Sequence, residues 1–241
     1  MCTVTYIPPT GNNGFILTSN RDEKSFRQTI PPDIYSINGI KTGFPKDAVA
    51  GGSWIAANET GRLCCLLNGA FEPHKKQKFH THSRGNVLID LVASHLDAMV
   101  FFSQESLDKT EPFTMITIDR KENMDYLMTE FVWDGSAKRF KELDNSIPYV
   151  WSSVTLYSDE NRRMREDWFE RFIESNREDI SAENIWSFHA GSHTNKKEIN
   201  LVMEREEGLK TVSITQVTPR NHLFYMRYND LLKNKEYHLY I

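Results

Sequence analysis

The sequence predicts an α+β fold with antiparallel sheets and helices packed outside them, and three observations carry that prediction. Segments of strand character follow one another in consecutive pairs, whereas a parallel sheet needs a long crossover between each pair. The pairs are joined by short turn-forming stretches such as Asn58-Glu59-Thr60-Gly61 and Arg120-Lys121-Glu122-Asn123. The helical apolar period is confined to residues 83–102, 158–176 and 181–188.

In chain order, Cys2 to Ile7 alternates as a half-buried strand does, with Cys2, Val4 and Tyr6 on one face and Thr3, Thr5 and Ile7 on the other. The turn formers Pro8 to Asn13 lead to a second strand, Phe15 to Ser19, so the two form a hairpin. With Ile7 opposite Gly14, Cys2 falls opposite Ser19 at the open end, and Asn20, Arg21 and Asp22 lie just past the strand beside the N-terminus. Residues 24–50, punctuated by Pro31-Pro32, Gly39, Gly43 and Pro45, read as a long loop with at most one short strand. Gly52–Ala57 and Arg62–Leu67 form a second hairpin, with Gly61 supplying the left-handed residue. Those strands are apolar almost throughout, as strands buried on both faces or covered by a helix are. Their pairing brings the Gly51-Gly52 backbone and Asn68 to one end of the sheet.

Ser83 to Phe102 is predicted as one helix of about five turns, striped by Val87, Leu88, Leu91, Val92, Leu96 and Val100. Phe113–Asp119 and Asp125–Trp133 form a further hairpin, and Lys138–Leu143 adds a strand. Ser158 caps a charged helix that runs to about Asn176, with Met164, Trp168, Phe169 and Phe172 on its inner stripe. A short helix over Ser181–Phe188 precedes four strands: Glu198–Glu204, Thr211–Thr218, Leu223–Tyr228 and Tyr237–Ile241. No linker or repeat divides the 241 residues, which read as one domain over 1–241.

Composition excludes several function classes. A net charge of −4 leaves no electrostatic footprint for nucleic acid, and no stretch approaches the roughly 18 apolar residues of a spanning helix. The N-terminus lacks the basic and apolar regions of a signal peptide, so the expected compartment is cytoplasmic. Cys64-Cys65 and one further cysteine make neither a disulfide framework nor a zinc spacing, and are expected as packing in a covered strand. His80-x-His82 and His189-x-x-x-His193 lack an assured third ligand, and no glycine-rich phosphate loop occurs, so neither metal nor cofactor is expected.

The chemistry concentrates at the N-terminus. Removal of Met1 makes Cys2 carry both a thiol, with a reference pKa of about 8.5, and an α-amine of about 7.7–8.0, a nucleophile with its own base. A carboxylate at Asp22 can hold that amine, and Arg21 can bind a substrate oxygen or carboxylate. Asn68, with N–H groups near Gly51-Gly52, either supplies oxyanion donors or simply forms an Asn-Gly turn with Gly69. Ser152-Ser153 and Lys210-Thr211 are polar strand ends that either reach the same pocket or are ordinary strand ends.

Met1-Cys2, Asn20-Arg21-Asp22-Glu23, Gly51-Gly52-Ser53-Trp54, Leu67-Asn68 and Arg84-Gly85 occur in the order seen in the NRDE family, which this chain resembles over nearly its whole length. Eukaryotic members of that family are called transport and Golgi organisation proteins. The family in turn is similar to N-terminal-nucleophile hydrolases related to penicillin V acylase and bile-salt hydrolase. The resemblance implies a four-layered αββα sandwich with Cys2 as nucleophile at the end of a central strand. Ser19-Asn20-Arg21-Asp22 stands where those enzymes carry Arg-Asn-x-Asp, so Asp22 takes the place of their Asp and Ser19 that of their Arg. Ser152-Ser153 stands in place of a Ser-Asn or Thr-Asn pair, and Lys210 in place of an Arg, keeping the charge without the planar fork. The resemblance thus implies Cys2, Asp22 and Asn68 as catalytic, and Asn20, Arg21, Gly52, Ser153 and Lys210 around a small-molecule substrate. Two functions follow from it: an amide (C–N) hydrolase, or a non-catalytic binding and trafficking protein holding a lipid-like or haem-like ligand on the same scaffold. A class II glutaminase also begins Met-Cys, but Thr3 stands where Gly is usual.

Overall fold

A computed structural model describes residues 3–10, 14–75, 77–123, 125–177 and 180–241. Strands are numbered in chain order. One antiparallel sheet runs β10 (Tyr149–Ser152), β1 (Thr3–Ile7), β2 (Ile16–Lys24), β11 (Leu209–Arg220), β12 (Leu223–Asp230), β13 (Lys235–Tyr240). The second follows sequence order: β3 (Thr29–Ile37), β4 (Ile40–Asp47), β5 (Ile55–Asn58), β6 (Arg62–Asn68), β7 (Phe113–Arg120), β8 (Tyr126–Trp133) and β9 (Lys138–Leu143). Helices α1 (Arg84–Val92) and α2 (Ala98–Gln104) accompany the second sheet, and α3 (Asp159–Ser175) and α4 (Ala182–Ala190) the first.

Strand alternation builds the layers. Val4, Tyr6 and Leu17 of the first sheet meet Ile55, Leu63, Cys65 and Ile116 of the second in a core between the sheets. Residues of the opposite parity face helices: Ala56, Cys64 and Met115 pack with Val87, Leu91 and Phe102. Ile7 and Ile16 pack with Trp168, Phe169, Ile185 and Phe188. The order is therefore helix, sheet, sheet, helix. Each Val, Leu, Ile, Phe or Met side chain among them taken fully from water contributes about 1.5–3 kcal/mol before conformational entropy is set against it. Cys64 and Cys65 are both free and buried, and burial drives the Cys65 thiol up to about 12.

Several expectations hold. Gly61 turns the β5–β6 hairpin at φ 100°, β7 and β8 pair across residues 121–125, and the Ser158 side chain accepts from Asn161 N–H at the start of α3.

Five differ. Ile7 pairs with Ile16 and Thr3 with Asn20, two residues from the expected register. Gly14 lies outside the pairing and against Pro219, where a Cβ would come within 2.2 Å of Cγ. β2 also continues past Ser19, since β11 pairs with it as far as Lys24, so Asn20, Arg21 and Asp22 lie within the strand. Residues 24–50 hold two strands rather than a loop. Asn38 (φ 51°) and Gly39 (φ 79°) are both left-handed, as a tight two-residue turn requires, and Pro31-Pro32 falls in the register shift of the edge strand β3.

The five-turn helix is two helices. Arg62 donates to the carbonyls of Leu91 (3.0 Å), Ser94 (3.2 Å) and Leu96 (2.8 Å), and Asn58 to that of Val92 (2.6 Å), so side chains of the β5–β6 turn satisfy the end of α1. Asp97 then caps α2, and Leu96 and Val100 are exposed while Phe101 and Phe102 turn inward. In place of a strand over Glu198–Glu204 there is a 3₁₀ turn, Lys197–Ile199, and one bridge from Glu204 to Lys210. The main chain there bonds side chains: Asn20 Nδ2 donates to Leu201 O (2.8 Å) and Met203 N to Thr211 Oγ1 (2.9 Å). β10 is a strand the apolar pattern leaves undistinguished. Among the described residues no helix is long and apolar enough to cross a membrane.

Candidate active site

The motif residues of β2 lie on its two faces. Arg21 shares its parity with Leu17 and projects between the sheets, its guanidinium 4.2 Å from the ring centre of Trp54. Nη2 meets Asp47 Oδ2 at 2.6 Å and Nη1 donates to Thr29 Oγ1 at 2.7 Å. Asp47 also receives Arg27 Nε at 2.8 Å, and its other oxygen accepts the N–H groups of Val49 (3.0 Å) and Ala50 (2.9 Å). Burial pushes the Asp47 carboxyl up, but the Ala50 N–H and the two arginines outweigh it and hold the group below its ordinary value. Burial lowers the Arg21 pKa despite Asp47 and Glu23.

Arg21, Gly52 and Asn68 line one cleft of about 240 Å³, together with Trp54, Arg84 and Glu111. Its wall depends on two glycines. A Cβ on Gly52 would lie 2.4 Å from the Gly85 carbonyl carbon, and one on Gly85 would lie 2.8 Å from Ser53 O. The bare backbones let Ser53 N donate to Gly85 O at 3.2 Å, joining the approach to β5 to the first turn of α1. This contact accounts for Gly51-Gly52-Ser53-Trp54 and Arg84-Gly85 as one structural unit.

The opposite face of β2 looks toward the helices. Asn20, expected around the substrate, instead bonds α4: its Nδ2 donates to His189 O (3.1 Å) and Leu201 O, and its Oδ1 lies 2.6 Å from His189 Nδ1. Asp22 accepts hydroxyl donors from Tyr157 and, at 2.6 Å, from Thr211. The Ser153 hydroxyl donates to Asn68 O at 2.9 Å and lies 3.1 Å from Thr155 Oγ1, tying the end of β10 to the end of β6. Ser153 is outside the Arg21 cleft. Lys210 stands opposite Glu23 and lines a separate cleft of about 520 Å³ with Thr211 and Asn200. Met1 and Cys2 lie outside the described residues.

Sequence reasoning missed Asp47, Arg27, Glu111 and Tyr157. A buried arginine demands a carboxylate partner, but with 33 acidic residues and no knowledge of β4, nothing singled out Asp47. Among the described residues no three metal-ligating side chains converge. His193 Nε2 is instead 2.9 Å from Phe188 O.

His189 is fully buried between Asn20 and Thr5, whose Oγ1 is 2.7 Å from Nε2. Because Asn20 Oδ1 can only accept, Nδ1 carries the proton, and in the neutral ring that burial favours Nε2 accepts from the Thr5 hydroxyl. Burial, with His193 nearby, lowers its pKa from 6.5 to about 3. Between these values the unfolded chain binds a proton that the folded chain does not. The stability is complete above the unfolded value and is lost as pH falls from about 6.5 toward 3. From pH 7 to pH 5 this single group is expected to remove about 2 kcal/mol, at about 1.4 kcal/mol per pH unit below 6.5. Urea titrations at both pH values check it: His189→Gln should show a smaller acid loss than wild type, and an equal loss would reject the assignment.

The sequence model of the family TANGO2, Transport and Golgi organisation 2, matches residues 1–237. No curated protein matches the sequence. Similar solved structures include the N-acylethanolamine-hydrolyzing acid amidase ortholog of Caenorhabditis elegans, with a TM-score of 0.61 and 14% identity over 90% of this chain and 93% of that one. Conjugated bile acid hydrolase from Clostridium perfringens gives 0.60 and 12% over 99% and 92%. Penicillin V acylase from Agrobacterium tumefaciens gives 0.57 and 11% over 100% and 86%. At these identities the likeness shows the fold, that of N-terminal-nucleophile hydrolases.

Proposed function

Because the chain belongs to the TANGO2 family, Transport and Golgi organisation 2, and has the fold of N-terminal-nucleophile hydrolases, we propose that it is an amide hydrolase whose nucleophile is Cys2 after removal of Met1. The observation that carries this reading is a convergence. Thr3 pairs with Asn20, so β1 begins alongside the Asn20-Arg21-Asp22 segment, and Arg21, Gly52 and Asn68 line one cleft there. Val4 and Tyr6, whose parity in sequence Cys2 shares, face the space between the sheets, as Arg21 does.

In the proposed reaction Cys2 Sγ attacks the amide carbonyl carbon as its thiol proton passes to the α-amine. The tetrahedral oxyanion is stabilised by the Asn68 amide and the Gly52 N–H, since the neighbouring N–H groups of Gly51 and Ser53 already donate to Asp47 O and Gly85 O. Collapse breaks the C–N bond, and the ammonium returns its proton to the departing amine, leaving a thioester. Water then attacks the thioester carbonyl, giving its proton to the α-amine. Breaking of the C–S bond releases the carboxylic acid as the ammonium returns that proton to sulfur, which restores both the thiol and the free amine. Asp22, oriented by Tyr157 and Thr211, is assigned to hold the α-amine.

Intact-mass measurement tests both premises together. Met1 is expected to be absent, and brief exposure to a panel of N-acyl substrates should add one acyl group per chain. Complete retention of Met1 would remove the base and defeat the proposal.

A further inference from the structure

We infer that the Arg21 cleft takes a compact amide bearing a carboxylate, with Arg84 as the residue that selects it, in preference to fatty-acyl or sterol amides. The inference rests on the hydrolase reading of the same cleft and specifies its substrate class. Three arginines and three carboxylates line the space: Arg21, Arg27 and Arg84 with Glu23, Asp47 and Glu111. Against them stand only Ala50, Trp54 and Leu66 as apolar lining residues. The face of Trp54 is already occupied by the Arg21 guanidinium at 4.2 Å. An alkyl chain or fused ring placed here would strip water from charges and return little apolar contact. Size argues the same way. About 240 Å³ is the share of about eight water molecules in the liquid, below the roughly 300–1,000 Å³ of sites for drug-sized ligands. An amino-acid amide with a short acyl group fits within it, whereas most of a long acyl chain would have to lie outside the cleft.

The three cations differ in how far they are committed. Arg21 is bound to Asp47 at 2.6 Å, to Thr29 and to the Trp54 face, and Arg27 binds Asp47 at 2.8 Å and Glu23 at 3.4 Å. Arg84 is held more loosely, with Nη2 3.5 Å from Glu111 Oε2 and Nη1 3.3 Å from Pro112 O. Among the described residues its Nε has no hydrogen-bond partner, so the guanidinium retains donors for a ligand carboxylate. Glu111 also lies 3.3 Å from His74 Nε2, so it has a second partner when Arg84 turns to a ligand.

The test is calorimetric titration of Cys2→Ala, which leaves the amide intact, with N-acetylglycine, N-acetylglycinamide and N-palmitoylglycine. N-acetylglycine should bind at least tenfold more tightly than its carboxamide, and N-palmitoylglycine no more tightly than N-acetylglycine. Adding Arg84→Gln should bring acid and carboxamide within about twofold of each other. Adding Glu111→Gln should move the acid the other way, to tighter binding, which guards against a fold-level effect of the first substitution. Equal binding of acid and carboxamide, tighter binding of the palmitoyl probe, or no binding of N-acetylglycine would each overturn the inference. Glycine release by the unsubstituted chain separates the two proposals. The predicted affinity pattern without turnover upholds this cleft assignment while the hydrolase reading fails; Cys2-dependent cleavage of N-palmitoylglycine alone upholds hydrolysis and defeats the assignment.

Discussion

Cys2→Ala is expected to reduce amide turnover by a factor on the order of 10⁴ or more while leaving ligand affinity within about tenfold of the unsubstituted chain. The asymmetry follows from what a nucleophile does. Its sulfur forms a bond only on the way to the tetrahedral state, so removing it raises the barrier without removing the contacts that hold the bound amide. Arg21, Gly52 and Asn68 remain in place around the cleft. A substitution at Asp22 is a less clean probe, because Asp22 is buried in β2 and accepts from Tyr157 and Thr211. Changing it alters packing as well as chemistry. Turnover and affinity are measured together on a ligand found by screening. Undiminished turnover in Cys2→Ala would end the nucleophile assignment. Ligands that bind the unsubstituted chain and are never cleaved would favour the binding and trafficking reading.

What could be read from the sequence, and what could not, divides by the range of the interactions. Local chemistry was legible: the Gly61 turn, the Ser158 cap and the inner stripe of α3 each depend on neighbours within a few residues. Asn38-Gly39 was equally local, but the surrounding prolines and glycines obscured a two-residue turn whose left-handed pair closes β3 onto β4. Long-range effects were hidden. A periodic apolar stripe cannot show that Arg62 reaches across from β6 to end α1. Nor does strand propensity in residues 198–204 show that Asn20 and Thr211 side chains take up main-chain bonds there. The site shows the same division. Arg21, Gly52 and Asn68 are seen in one cleft because short hairpins carry them there. The placement of Asn20 toward α4 follows from the length of β2, which continues along β11 past Ser19, so that Asn20 takes the helix-facing parity of Ile16.

Asp47→Ala is expected to destabilise the fold by about 3–5 kcal/mol, the usual cost of unpairing a buried charge. Arg21 is only 3% exposed and sits between the sheets, and the carboxylate left to it when Asp47 is removed, Glu23, is 3.8 Å away against 2.6 Å for Asp47. The substitution also strips acceptors from Val49 and Ala50 N–H, which Asp47 Oδ1 holds in the turn before Gly52. Arg27 adds little to this loss, since its side chain is 35% exposed and water can replace the pair. At roughly 2–4 °C per kcal/mol for a chain of this size, the melting temperature should fall by about 6–20 °C. Asp47→Asn retains an acceptor for the turn and a neutral one for Arg21, so it should lose about half as much. Because Arg21 lies on the ring of Trp54, one of five tryptophans, the part of the fluorescence that Trp54→Phe removes should report the loosened guanidinium in the folded Asp47→Asn protein. Thermal melts of both variants decide the matter. A melting point for Asp47→Ala within about 2 °C of the unsubstituted chain would mean that Arg21 is not anchored by Asp47.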